Sequence, residues 1–267
     1  MIDLHCHLLP GLDDGPADMA SSLAMARHAV ASGITHSVCT PHIHHGRYNN
    51  NMIGIARARE IFERHLREHN CPLQIACAAE VRICPEIMLM KVNGTLPYLG
   101  CWQNQPVLLL ELPHSHIPPG TRELIEWLRR EGVQPLIAHP ERNRDVWRDY
   151  NQAVRLVKMG CLLQVTAGVF SGHFNPPSKQ IARQLLEDGL ITIVASDAHS
   201  LDRRPPDMRD AYHQVCEITD EQTAERLFKT TPWSISSCLF PEKVADIHQR
   251  TASKDTVDTV EQRFNGR

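Results

Sequence analysis

At 267 residues, 42% hydrophobic and 22% charged, the chain has the length and balance of a single globular α/β unit with a large core. A formal charge of −3 with no basic run offers no general attraction to nucleic acid, and no apolar stretch approaches the roughly 20 residues that span a bilayer. The nine cysteines include no CxxC pair, which argues against a zinc ribbon or a thioredoxin-type centre; they read as small apolar residues of a reducing compartment, and a cytoplasmic location without a secretory leader is expected.

Taken in chain order, the pattern is a repeated strand, loop and helix. A short apolar strand over 2–5 runs into His5-Cys-His7. A helix over 17–32 carries Met19, Leu23, Ala26 and Val30 on one stripe, with Gly33 as its C′ residue. Strand 35–40, helix 52–70, strand 74–80, strand 107–111 and helix 120–131 follow, then strand 134–139, helix 145–158, strand 162–166, helix 177–188, strand 191–196 and helix 209–216. Gly132, Gly160 and Gly189 close three of these helices as Gly33 closes the first. After about Glu242 the chain turns polar, which divides it into one catalytic domain over 1–245 and a poorly packing tail over 246–267.

Seven short apolar strands with helices between most of them predict a parallel sheet closed into a β/α barrel, with an open doubly wound sheet as the alternative. In a barrel the active site lies at the C-terminal ends of the strands. The residues there are His5 and His7, His42, Glu80, Glu111, His139, Thr166, and Asp197 with His199, so six of the seven strands end in a metal-ligating type. His5 and His7 share one face of their strand, and Cys6 between them faces the other way. Asp14 follows on the first loop, beside Asp13, which is assigned the turn and helix-cap role.

The candidate ligands are therefore His5, His7, Asp14, His42, Glu80, Glu111, His139, Asp197 and His199. Imidazole and carboxylate without thiolate suit Mn, Fe or Zn. The set is too large for one ion and suits two or three with a bridging carboxylate. Three divalent ions against four carboxylates leave a formal charge of about +2, which favours an anionic substrate such as a phosphate ester.

The segments Asp3-Leu-His-Cys-His-Leu-Leu-Pro-Gly-Leu-Asp-Asp-Gly15, Thr40-Pro-His42, Glu80-Val-Arg-Ile, Leu110-Glu-Leu-Pro, Ala138-His-Pro-Glu-Arg-Asn143, Gln164-Val-Thr-Ala-Gly168 and Ala195-Ser-Asp-Ala-His199 occur in order over residues 1 to about 240. Together they resemble the PHP (polymerase and histidinol phosphatase) superfamily. More narrowly they are similar to its bacterial tyrosine-phosphatase branch, manganese-dependent enzymes of capsule and exopolysaccharide operons. The resemblance implies a distorted (β/α)7 TIM-like barrel of the PHP type. It implies one ion on His5, His7 and Asp197, a second on Glu111 and His139 bridged to the first by Glu80, and a third on Asp14, His42 and His199. It also implies two or three divalent ions, Mn favoured with Fe, Co or Zn compatible, and functional arginines at Arg142 and Arg204.

The expected reaction is hydrolysis of phosphotyrosine on a protein by metal-activated water attacking phosphorus. By resemblance, the substrate is the tail of a bacterial tyrosine autokinase that controls polysaccharide synthesis. Arg142 and Arg204 are placed to clamp the phosphate; the competing readings are a structural pair of Arg142 with Glu141 and a register in which Arg203 replaces Arg204. No cysteine has an arginine six residues later, so the thiolate chemistry of cysteine phosphatases is not encoded. The alternatives are a PHP phosphoesterase acting on a small molecule such as histidinol phosphate, and a barrel retained as a non-catalytic binding module. Tyr48 reads equally as a groove wall or a loop anchor, and His44, His45, His114 and His116 read as solvated loop histidines.

Overall fold

The structure is a computed structural model that describes residues 1–240; the predicted boundary near 245 and the tail lie outside the described residues. Strands β1 (Ile2–Cys6), β2 (His36–Cys39) and β4 (Gln74–Cys77) form one parallel sheet. A second parallel path runs through β3 (His42–Ile43), β5 (Glu80–Arg82), β7 (Gln105–Glu111), β8 (Gln134–Ala138), β9 (Leu162–Thr166) and β10 (Ile193–Ala195), with β6 (Cys101–Trp102) antiparallel to β7. Thr40-Pro41 joins β2 to β3, and Ala78-Ala79 joins β4 to β5. Each pair therefore makes one interrupted stave, and the staves number seven among the described residues.

Proline explains the first interruption, because Pro41 has no N–H for the ladder. The Glu80 N–H there is shared between the Thr40 and Pro41 carbonyls, at 3.3 Å each. The ring closes between the first and last staves. His7 N–H donates to the Ala198 carbonyl at 2.8 Å, and Asp197 N–H to the His5 carbonyl at 2.7 Å. The buried Asp3 carboxylate accepts from Ser196 N–H at 2.9 Å and from its hydroxyl at 2.5 Å. The molecule is thus a distorted β/α barrel, as the strand ends predicted.

The helices are α1 (Met19–Ala31), α2 (Met52–Glu68), α3 (Glu86–Val92), α4 (Thr121–Arg130), α5 (Arg144–Arg148), α6 (Asn151–Lys158), α7 (Pro176–Glu187), α8 (Arg209–Ile218), α9 (Glu221–Glu225) and α10 (Thr231–Ser236). The predicted helix over 145–158 is two helices. Asp149 takes an extended backbone at the break, and its carboxylate accepts the Asn151 N–H at 3.0 Å. The short β3, β6, α3, α9 and α10 were not foreseen, being too brief for a period to register.

The strands alternate between two apolar layers. Leu108, Leu110, Ile137, Leu163 and Val165 join helix residues such as Leu128, Leu156 and Leu185. Val107, Leu109, Leu136 and Ile193 join Leu4 and Val38 inside the ring, and Ile235 of α10 packs onto that inner cluster. Cys6 belongs to the outer layer and is buried, as its alternation with the two histidines predicts. Among the described residues no helix is long and apolar enough to cross a membrane.

Candidate metal centre

All nine predicted ligands meet at the C-terminal rim. His5 and His7 lead out of β1, His42 starts β3, Glu80 starts β5 and Glu111 ends β7. His139 directly follows the last residue of β8 and Asp197 lies two residues beyond the end of β10, and both hold the left-handed backbone, at φ 34° and 49°. Non-glycine residues rarely adopt that region, and it persists where the surroundings fix it. Here it turns both side chains at the point where the strand stops.

Donor atoms gather in overlapping groups. His5, His7, Glu80 and Asp197 form one, and His7, Asp14, His42 and His199 a second. Glu111 meets His139 and His114 in a third, and Glu80 and Glu111 meet His42 in a fourth. His5 Nε2 is 3.3 Å from Glu80 Oε2 and from Asp197 Oδ1, and His7 Nε2 is 3.5 Å from the same two oxygens. Asp14 Oδ1 lies 3.3 Å from His42 Nε2 and 3.4 Å from His199 Nε2. Tetrahedral ligation at about 2.0–2.2 Å requires donors about 3.3–3.6 Å apart.

Outer partners aim the imidazoles. His5 Nδ1 donates to Gln164 Oε1 at 2.9 Å, His7 Nδ1 to Asp13 Oδ2 at 2.6 Å, and His199 Nδ1 to the Asp197 carbonyl at 2.9 Å. This tautomer assignment follows from the acceptors. It leaves three Nε2 lone pairs pointing inward, the arrangement that supports ligating histidines. Buried atoms of the cage also lack hydrogen-bond partners: His42 Nδ1, Glu80 Oε2 and His199 Nε2. Buried polar atoms without hydrogen-bond partners at ligand spacing fit divalent cations.

The electrostatics agree. Burial pushes the Glu111 carboxyl up, reinforced by Glu80 beside it, to about 7. Burial, then the neighbouring Arg142, brings the His139 imidazole down to about 4. Burial works against charge on His42 as well, but the Glu80 and Asp14 carboxylates outweigh it and raise its pKa to about 10. Shifts this large and this varied among neighbouring buried groups are typical of functional sites.

Arg142 and Arg204 both reach the mouth. Their guanidinium groups donate to Asp197 Oδ2, Arg204 at 2.8 Å, while Asp197 Oδ1 faces His5 and His7. Arg142 is thus not paired with Glu141. That carboxyl is buried on the other side, accepts the Thr166 N–H at 3.0 Å, and is raised by burial to about 7. The mouth cavity holds about 100 Å³ and is also lined by Tyr48, Arg47, Arg82, His44 and His114.

Two expectations are corrected. Asp13 is not the cap of α1, because Asp18 accepts the Ser21 N–H at 2.8 Å. Asp13 makes the expected turn, accepting the Gly15 N–H at 2.9 Å, but its other oxygen holds His7 and the His42 N–H. His114 is not merely a solvated loop histidine: its ring lies 5.3 Å from that of His139, and it joins the group with Glu111. Gln164 was the least visible participant. A lone amide in the apolar run of β9 was its only signal, and Thr166, the expected strand-end residue, gives only its backbone N–H, to Glu141.

Residues 1–236 match the family model described as capsular polysaccharide synthesis, CpsB/CapC. Tyrosine-protein phosphatase YwqE of Bacillus subtilis is 36% identical over 211 residues, 76% of this chain and 79% of the relative. Tyrosine-protein phosphatase CpsB of Streptococcus agalactiae is 27% identical over 240 residues, 88% of this chain and 98% of the relative. Among solved structures, one described as YwqE from Bacillus subtilis and CpsB from Streptococcus pneumoniae, metal-dependent tyrosine phosphatases, superposes with a TM-score of 0.78 at 33% identity. That match covers 84% of this chain and 90% of the other.

Proposed function

The chain belongs to the capsular polysaccharide synthesis family CpsB/CapC, and on that premise we propose that it is a metal-dependent phosphatase that hydrolyses phosphotyrosine on proteins. The observation that carries the reading is the convergence of nine imidazole and carboxylate side chains on one rim, with Arg142 and Arg204 beside them. His5, His7 and Asp197 would hold one ion, Glu111 and His139 a second shared through Glu80, and Asp14, His42 and His199 a third. Overlap of the donor groups at His7, His42 and Glu80 supports two or three ions. Nitrogen and oxygen donors without sulfur are compatible with Mn, Fe, Co and Zn, and the resemblance to the manganese-dependent phosphatase branch favours manganese among them.

Bound ions supply Lewis acidity, acidifying water and neutralising phosphoryl oxygen. The chain's own residues do the rest. Asp13, Gln164 and the Asp197 carbonyl fix three imidazoles in one tautomer, so the cage needs no rearrangement when substrate arrives. Arg142 and Arg204 offer planar N–H forks to the phosphate oxygens. Water is the nucleophile, since Cys6 is buried away from the cage. The departing phenolate has an ordinary pKa near 10, so no strong general acid is needed at the rim.

The physiological substrate we assign is the tyrosine-bearing tail of a bacterial autokinase governing capsule or exopolysaccharide synthesis, met in the cytoplasm. Phosphate release from a phosphotyrosyl peptide, set against histidinol phosphate, tests the reading. Preference for the peptide supports it, with turnover abolished by His139→Ala or Arg142→Ala. Preference for histidinol phosphate, or unchanged activity in both variants, contradicts it.

A further inference from the structure

Two larger recesses adjoin the mouth, one sharing Asp14 and Arg204 with it and the other sharing Tyr48, and a similar turn stands at each. On one side His44 and Tyr48 exchange backbone hydrogen bonds at 3.0 and 2.8 Å. On the other, Ser200 and Arg204 exchange them at 3.2 Å in both directions. Each is a tight hairpin whose last residue lines the mouth, Tyr48 in one and Arg204 in the other. In each, the residue just before it is an exposed arginine, Arg47 or Arg203. Among the described residues neither guanidinium has an acidic partner, even though Asp202 adjoins Arg203, whereas Arg82, Arg142 and Arg204 nearby are all paired. Arg47 rests over the Tyr48 ring at 4.9 Å, and that ring stacks on His42 at 5.5 Å and 9°.

Space follows the same division. The mouth's 100 Å³ accepts a phosphoryl group and part of a ring. A recess of about 690 Å³ opens beyond Asp14 and Arg204, walled by Pro16 and Met25 and by Leu201 and Arg203. One of about 360 Å³ opens beyond Tyr48, walled by Ile43 and Asn50. Both hairpins are braced: Asn50 Nδ2 donates to the His42 and Leu12 carbonyls at 2.8 and 2.9 Å, and His199 N–H to the Arg204 carbonyl at 2.9 Å. A compact phosphate ester has no use for the recesses, whereas an extended polypeptide advancing about 3.3 Å per residue must occupy something on either side of its phosphotyrosine.

We infer that this rim binds an extended phosphotyrosyl segment carrying acidic residues on both flanks, with Arg203 reading one flank and Arg47 the other. This rests on the phosphotyrosine reading above. The pairs are exposed, so each contributes up to about fivefold in kcat/KM, carried by KM and weakened by salt.

The test uses the metal-loaded full chain and phosphotyrosyl peptides with three Glu, Ala or Lys residues on the N-terminal or the C-terminal flank. Wild type is expected to prefer Glu over Lys on each flank. Arg203→Glu should cancel or invert the Glu-to-Lys ratio on one flank only, and Arg47→Glu on the opposite flank only. Because each ratio compares two peptides within one variant, a loss of folded protein does not mimic the effect. Equal KM for Glu and Lys peptides in wild type, unchanged ratios in both variants, or both variants acting on the same flank would overturn the inference. No turnover of any phosphotyrosyl peptide or of free phosphotyrosine would instead sink the phosphatase reading beneath it.

Discussion

His7 is aimed by Asp13, whose carboxylate burial alone would raise but which its contact with the imidazole lowers to about 2. The charged partner keeps Nδ1–H engaged and leaves Nε2 for a metal. Outer partners of this kind typically carry 10- to 100-fold in metal affinity. Asp13→Ala should therefore weaken Mn2+ binding by about that factor in a metal titration, and Asp13→Asn, which still accepts from Nδ1, should recover part of it. Affinity equal to wild type in Asp13→Ala would show that the pair does not support the metal. Adjacent aspartates illustrate the limit of legibility at this scale. The ligand candidate Asp14 could be singled out by its place in the ordered motifs. The task of Asp13 could not, because two identical side chains one residue apart differ only in which way the turn points them.

Six of the described helices end in the same way, α2 at Asn70, α3 at Gly94 and four others at glycines that were legible in the sequence. In α1 the Gly33 N–H donates to the Val30 carbonyl and the Ile34 N–H to the Ala29 carbonyl, both at 2.9 Å, with Gly33 at φ 91°. The pattern recurs at Gly132, Gly160 and Gly189. At these four glycines the cap hands the chain on through an apolar or cysteine residue, buried at Ile34, Val133 and Cys161 and half-buried at Leu190. The interruptions at Thr40-Pro41 and Ala78-Ala79 were less visible, since the first lies between strand and ligand and the second lies inside a continuous apolar run. Gly100 is where an element's position depends most sharply on one missing atom. Its φ is 121°, and a Cβ would lie 2.0 Å from the Ile235 carbonyl oxygen, in the α10 that closes the inner cluster. Gly100→Ala should cost more than about 3 kcal/mol in urea unfolding, against about 1 kcal/mol for Gly46→Ala, whose surroundings are open. Equal costs would mean that α10 does not seat against this backbone.

Over the whole molecule, closure of the ring makes the site. The Asp3 carboxylate and Ser196 are 193 residues apart in sequence and share a hydrogen bond, which brings His5 and His7 against Asp197 and His199. Strand ends alone predicted this convergence, because six of seven carried a metal-binding type, and a closed barrel is the arrangement that turns a list of strand ends into a cage. Orientation of the arginines was not foreseen. Both converge on the outer oxygen of Asp197, a pairing that requires the three-dimensional path of two separate loops. The cage is expected to perform its chemistry only with divalent ions in it. The most direct test is to strip the protein with chelator, return Mn2+ stepwise, and follow bound metal and phosphate release from a phosphotyrosyl peptide together. The account predicts negligible turnover in the stripped protein and recovery that tracks the binding of two or three ions per chain; full turnover by the metal-free protein would contradict it.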